Sequence, residues 1–215
     1  MRRPLFKLIE DYSKKQMGKL GLYGWPHVQR VLRLSEELAK LEGDDVDMDV
    51  LKIAALLHDV AKRLENKNPK IDHGIIGAEM AKAFLTEIGL PESKVKAVCH
   101  AIKVHTHSEE PTSTEARILH DADFLDKLGA TGLATIFLKA CFTNKTIEEV
   151  LDSFYKENQS AHIFQHIKWI KIKEPHFYTK TAMTIAKKRN RIVPKFFNQL
   201  RREIMLEDFK NFEKL

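Results

Sequence analysis

Apolar residues recur at helical spacing along nearly the whole chain, with no strand-length alternation of apolar and polar residues and no Asn-Gly hairpin signal. That pattern predicts an all-α fold. Val28, Val31, Leu32, Leu38 and Leu41 share one helical face, with Pro26 suited to a first turn and Gly43 to a stop. Val50 to Leu64 is apolar almost all round, which predicts a continuous, central, buried helix. Ile75, Ile76, Met80, Phe84 and Ile88 form another stripe ended by Gly89, and Pro91 opens a helix running towards His105. Thr112-Ser-Thr-Glu115 and Thr146-Ile-Glu-Glu149 have the form of capping boxes, the first starting a helix that reaches Gly129. Pro194 should kink or divide the amphipathic stretch Thr179 to Phe212. These elements predict a single helical domain over residues 1–215, with its core at about 20–140 and basic C-terminal helices over 146–215.

A chain of 215 residues with 43% hydrophobic content is long and apolar enough to bury a real core. Its longest uninterrupted apolar run, Ile53 to Leu57, is too short to span a bilayer. Cys99 and Cys141 are too few for a disulfide framework. A soluble, cytoplasmic protein with no membrane partner is expected. The net charge of +6 is unevenly placed: residues 151–215 hold 14 Lys/Arg against 7 Asp/Glu, whereas residues 1–150 hold 22 against 23. Such a basic end can meet nucleic acid, but a solvated helical face is the simpler account and nucleic acid the less favoured partner.

Chemistry concentrates in the histidines, seven of whose ten members fall between His27 and His120. Periodicity gives no reason for His58-Asp59 within Leu56-Leu57-His58-Asp59-Val60-Ala61-Lys62, in the middle of the most apolar stretch. A buried carboxylate is costly unless it is paired, hydrogen-bonded or bound to a metal. Both side chains could reach one cation, with further ligands coming from neighbouring helices. His27 is one candidate, and Asp123 in His120-Asp-Ala-Asp-Phe-Leu-Asp126 is another, in competition with Asp121 and Asp126. Two His and two Asp make a mixed nitrogen and oxygen site for a divalent ion (Mn, Mg, Fe, Ni, Co or Zn), and the absence of Cys disfavours a structural zinc.

The order His27, then His58-Asp59, then Asp123 resembles the H…HD…D pattern of the HD superfamily of metal-dependent phosphohydrolases. The phrases Pro26-His27-Val28-x-Arg30-Val31, Leu57-His58-Asp59-Val60-Ala61-Lys62 and Asp121-Ala-Asp123-x-Leu-Asp126-x-Leu-Gly-Ala130 extend the similarity over about residues 20–140. The resemblance implies an HD-type helical bundle and a divalent metal held by His27, His58, Asp59 and Asp123. It also implies hydrolysis of a phosphate ester or anhydride, most naturally of a small nucleotide, by a water that the metal activates. Where the family usually has Arg after the ligand Asp, this chain has Phe124.

Within that scheme Asp59 or Asp126 would orient or deprotonate the water, and Lys62 would neutralise a phosphate or leaving group. Arg30, His73 and His105 would hold the charged oxygens, and His73 with His105 could instead serve a second metal that Asp59 bridges. A di-iron oxygenase on the same fold is one rival; a non-catalytic nucleic-acid-binding or regulatory module with a structural metal is another. No Gly-x-x-x-x-Gly-Lys-Ser/Thr loop and no Gly-x-Gly-x-x-Gly occurs, so Walker-type or Rossmann nucleotide binding lacks its scaffold. Cys99 and His100 are sequence neighbours, which on a helix point about 100° apart, so a thiol dyad is not expected.

Overall fold

The structure, a computed structural model, describes residues 2–43, 45–106, 109–156 and 177–210. Among these the regular elements are helices, with no strand. In chain order they are α1 (Arg2–Met17), α2 (Trp25–Glu42), α3 (Met48–Leu57), α4 (Lys62–Lys67), α5 (His73–Glu87) and α6 (Glu92–Val104). Then come α7 (Thr114–Asp126), α8 (Gly129–Phe142), α9 (Ile147–Lys156), α10 (Lys180–Asn190) and α11 (Ile192–Ile204).

Short polar side chains set several helix starts. Asp47 accepts from the amides of Asp49 and Val50 at the head of α3, and Asp72 does the same for Gly74 and Ile75 at the head of α5. Pro26 sits in the first turn of α2 and Gly43 stops it, with φ at 113° and its amide bonded to the Ala39 carbonyl. The Thr146/Glu149 capping box forms as expected: the Thr146 amide donates to Glu149 Oε2 at 2.8 Å, and the Glu149 amide to Thr146 Oγ1 at 3.2 Å. At α7 the expected box does not form. Ser113 caps the helix by accepting from the Ala116 amide, and Glu115 instead accepts from the Asp47 amide at 2.8 Å. That helix ends at Asp126, before the predicted Gly129.

The largest departure from periodicity is at His58. The expected continuous helix from Val50 to Leu64 stops at Leu57, and tight three-residue turns carry the chain to α4: Val60 donates to Leu57, Lys62 to Asp59 and Leu64 to Ala61. Two side chains take up carbonyls at the break. His58 Nδ1 donates to the Ala55 oxygen at 2.8 Å, and Ser13 Oγ of α1 donates to the Leu56 oxygen at 2.7 Å. His58 itself keeps helical φ and ψ of −57° and −35°, and both it and Asp59 face the same space.

The buried face of α5 also differs from the predicted isoleucine stripe. Ile75 is 39% exposed and Phe84 alone of that stripe is buried, with Gly74, Gly77, Ala78, Ala81 and Leu85 facing inward beside it. Small residues are needed because α6 lies so close: a Cβ on Gly74 would stand 2.9 Å from the Lys103 carbonyl oxygen and from the Thr106 side chain. The last amphipathic stretch divides at Arg191, and Pro194 occupies the first turn of α11, where no amide partner is required.

The described residues gather into two compact units. One comprises the described residues up to 126 with 177–182; its core is built on α3, whose residues from Val50 to Leu57 are buried apart from Lys52. In this unit Asp121 of α7 accepts from the amides of Tyr178 and Thr179 at 3.0 and 2.8 Å, fastening residues 177–182 to α7. The other comprises the described residues 127–156 and 183–210 and is centred on Phe197 of α11, stacked on Phe154 of α9 at 4.0 Å between ring centroids. No helix among the described residues is long and apolar enough to cross a membrane.

Replacing Gly74 by Val would force α5 away from α6. A loss of about 1–3 kcal/mol is expected, which at roughly 2–4 °C per kcal/mol for a chain of this size lowers the melting temperature by several degrees. Thermal unfolding followed by circular dichroism measures it.

Candidate metal centre

Four histidines from four places in the chain turn their rings into one buried space in the first unit. His27 comes from the first turn of α2, His58 from the end of α3, His73 from the start of α5 and His105 from the end of α6. Successive ring centroids lie 5.4 Å (His27 to His58), 5.2 Å (His58 to His105) and 5.1 Å (His105 to His73) apart. All four are buried, as are Asp59 and Asp123 among them.

In each ring Nδ1 is committed backwards. His58 donates to the Ala55 carbonyl at 2.8 Å and His105 to the Ile102 carbonyl at 2.6 Å. His27 donates to Asp126 Oδ2 and His73 to Glu65 Oε1, both at 2.7 Å. These bonds fix the tautomer and leave Nε2 as the atom facing the carboxylates. His27 Nε2 lies 3.2 Å from Asp123 Oδ1 and 3.6 Å from Asp59 Oδ2, and His58 Nε2 lies 3.5 Å from the same Asp59 oxygen. Asp59 turns its other oxygen the opposite way, with Oδ1 at 3.2 Å from His73 Nε2 and 3.9 Å from His105 Nε2.

Two donor sets therefore share Asp59. His27, His58 and Asp59 form one set with Asp123 beside it, and Asp59, His73 and His105 form the other. Donors on neighbouring vertices around an ion at roughly 2.0–2.2 Å stand about 3.0–3.6 Å apart, and most of the separations above fall in that range. His105 Nε2 is fully buried without a hydrogen-bond partner, a costly arrangement for a ring nitrogen unless it is a ligand. Neutral imidazoles and carboxylates with no thiolate suit a divalent ion such as Mn, Fe, Ni, Co or Zn. The cluster is able to hold a divalent metal.

The charge states agree. Burial alone would lower His27, but its bonds to Asp123 and Asp126 and the charge of Asp59 raise it to about 9. Burial would raise Asp59, yet His58, His73 and Lys62 hold it well below the usual carboxylate range. His58 is pushed down by burial, and His105 well down by burial and the neighbouring His73 and His58. The proton on His27 thus occupies the place between His27, Asp59 and Asp123 that a cation would take.

The other expected residues divide by position. Asp123 faces the cluster, whereas Asp121 is spent on the Tyr178 and Thr179 amides. Asp126, expected to act on water, has both oxygens engaged: Arg30 grips them through Nε and a terminal nitrogen at 2.7 and 2.8 Å, and His27 shares one. Arg30, expected to hold phosphate oxygens, is committed by the same fork. Lys62 lies 2.6 Å from Glu65 Oε2 and 3.4 Å from both ring nitrogens of His73, so it borders the second donor set. His100 bonds Thr112, away from the cluster. His120 is a packing residue, stacked on Phe124 at 5.7 Å. Phe124, in place of the family's Arg, is buried edge-on to Phe177. His107, His162, His166 and His176 lie outside the described residues.

Sequence reasoning missed Glu65 and Ser13. Glu65 stands three residues after Lys62, an ordinary helical pair, and only the turn after His58 brings it to His73. Ser13 carries no local signal at all, since its partner Leu56 is 43 residues away.

Residues 24–128 match the family model of the HD domain, and the chain therefore carries an HD domain. Bacillus subtilis YpgQ is 27% identical over 188 residues, covering 85% of this chain and 84% of that protein. Its structure in complex with ADP aligns at 21% identity with a TM-score of 0.64, covering 91% of this chain and 97% of that one. A predicted HD superfamily hydrolase from an uncultured Thermotogales bacterium aligns at 27% identity and a TM-score of 0.65, covering 92% of this chain and 91% of that one. Ribonuclease Y of Thermoanaerobacter pseudethanolicus is 36% identical over 114 residues, which is 51% of this chain but only 20% of that enzyme.

Because His27 must lose its Nε2 proton to become a ligand, metal uptake should release a proton at every pH below about 9. Apparent affinity should climb towards that pH and then level. In the metal-free chain the sign is reversed: a raised His27 stabilises fully below its unfolded value near 6.5, and the contribution is lost as pH rises through about 9. Calorimetric titration in buffers of different ionisation enthalpy counts the proton, and melting temperatures from pH 6.5 to 9.5 check the stability.

Proposed function

We propose that this chain is a divalent-metal-dependent phosphohydrolase that cleaves a phosphate ester or anhydride of a nucleotide. The observation that carries the proposal is the set of four imidazoles, each anchored through Nδ1, whose Nε2 atoms converge with Asp59 and Asp123 in one buried space. The relatives point the same way: YpgQ has been seen with ADP, and ribonuclease Y is by name an enzyme that acts on RNA. His27, His58, Asp59 and Asp123 would hold one ion, and Asp59, His73 and His105 would hold a second. An ion bound there acidifies a coordinated water and polarises a phosphoryl oxygen.

The chain's own groups do the rest. Asp126 holds His27 in the tautomer that presents Nε2, and Arg30 keeps Asp126 ionised and in place. Asp59 sits between the two donor sets and gives one oxygen to each. Lys62 adds positive charge at the edge of the second set, and Tyr23, within 5.8 Å of Lys62 Nζ and edge-on to His27, supplies an aromatic surface beside it. These groups suit a phosphate lying on the His73 side with a flat group against Tyr23.

Elemental analysis of protein purified without chelator, followed by a screen of nucleoside mono-, di- and triphosphates and cyclic nucleotides with Mn, Mg, Ni and Co, tests the proposal. Release of orthophosphate, pyrophosphate or a linear monophosphate names the reaction. Bound iron with oxygen consumption and no phosphate release would favour the oxygenase chemistry instead. Asp59→Ala should abolish turnover and bound metal while the circular dichroism spectrum stays helical. Neutralising Lys187, Lys188 and Arg191, all exposed, should leave mononucleotide hydrolysis near normal, since their field is screened over roughly 8–10 Å at physiological salt. A large loss restored by low salt would indicate a polyanionic substrate.

A further inference from the structure

His27 and His73 are held in the same way from opposite sides of the cluster. Behind His27 stands a carboxylate, Asp126, clamped by a cation, Arg30; behind His73 stands Glu65, clamped by Lys62. The Nδ1-to-carboxylate distance is 2.7 Å in both. His58 and His105 have backbone carbonyls in that position. The two donor sets thus each contain one imidazole backed by a carbonyl and one backed by a carboxylate.

We propose that Glu65 is the positioning residue of the second donor set: by accepting a hydrogen bond from His73 Nδ1 and restraining Lys62, it makes His73 a ligand for a second divalent cation beside Asp59 and His105. The proposal rests on the metal-centre reading above and goes beyond it by assigning a residue outside every motif read from the sequence. A carboxylate behind an imidazole fixes its ring and raises its basicity, and losing such a partner weakens metal binding by about 10–100-fold. Glu65 has a second effect through charge. It bonds both the Lys62 ammonium and His73, and without it that ammonium, 3.4 Å from the His73 ring nitrogens, would oppose a cation at the same place.

The test is titration of the chelator-treated full chain with Mn(II), read as metal per chain, as calorimetric affinity for each equivalent and as the spin-coupled signal of a Mn pair. Wild type should take two equivalents and show the coupled signal. Glu65→Ala should keep the first equivalent at unchanged affinity, bind the second about 10–100-fold more weakly and lose the coupled signal. Glu65→Gln, which is isosteric and decides the matter if the alanine variant fails to fold, should fall between the two. A wild type that takes one equivalent would overturn the second donor set itself. Two equivalents in wild type, with both affinities unchanged in the Glu65 variants, would overturn the role of Glu65 alone. Full recovery of the second equivalent in Lys62→Met/Glu65→Ala would trace the loss to the lysine charge and overturn the anchoring of His73.

Discussion

The break after Leu57 is the arrangement on which the centre depends. There α3 ceases to be an α-helix, and His58 and Asp59 both face the donor sets. Once it does, the freed carbonyls must find donors, since buried backbone oxygens are rarely left unpaired. His58 answers one of them with its own Nδ1, and the same bond turns Nε2 inward. Structural satisfaction and ligand orientation are thus one hydrogen bond. His105 repeats the device at the end of α6 with the Ile102 carbonyl. Ser13 completes the break from α1, outside the HD domain match, which ties a distant helix to the aim of the central imidazole.

Electrostatics around the cluster are arranged in layers. The inner layer is imidazole and carboxylate, and the next supplies the opposite partner to each group that needs one. Arg30 and Lys62, which read as hands for substrate phosphate, are first of all counter-ions to Asp126 and Glu65. Burial of a carboxylate this close to others is tolerable because each is hydrogen-bonded as well as paired. On the proposed function, recognition of a substrate's negative charge would therefore fall mainly to ions held by the cluster. Among the described residues of the cluster, Lys62 at the margin of the second donor set would contribute directly.

The helical class, most helix starts, and His27, His58, Asp59 and Asp123 were legible in the sequence. Helical periodicity survives in any buried stripe, and polar residues in an apolar helix are conspicuous because burying them is costly. What was not legible depended on proximity between segments. The inward face of α5 is glycine and alanine because α6 is close, and no periodicity of isoleucines reports that. Residue chemistry alone does not separate Asp121, Asp123 and Asp126; the resemblance singles out Asp123, and what stands opposite each shows what the other two do. The break at His58 was hidden for a related reason: hydrophobic pattern registers burial, and the turn is as buried as the helix it ends.

Those three aspartates make α7 a graduated ruler. At about 100° per residue, Asp123 and Asp126 lie within about 60° of each other and point towards the histidines, while Asp121 looks nearly the opposite way. One edge of the ruler is read by the imidazoles, the other by the amides of Tyr178 and Thr179. Sliding α7 by a single residue would misalign both edges at once, so the helix has only one permitted setting. A segment far along the chain, after residue 176, thereby shares in calibrating a centre none of whose donors it provides. Changes of length are expected to accumulate in the loops on either side of α7 and to be absent from within it.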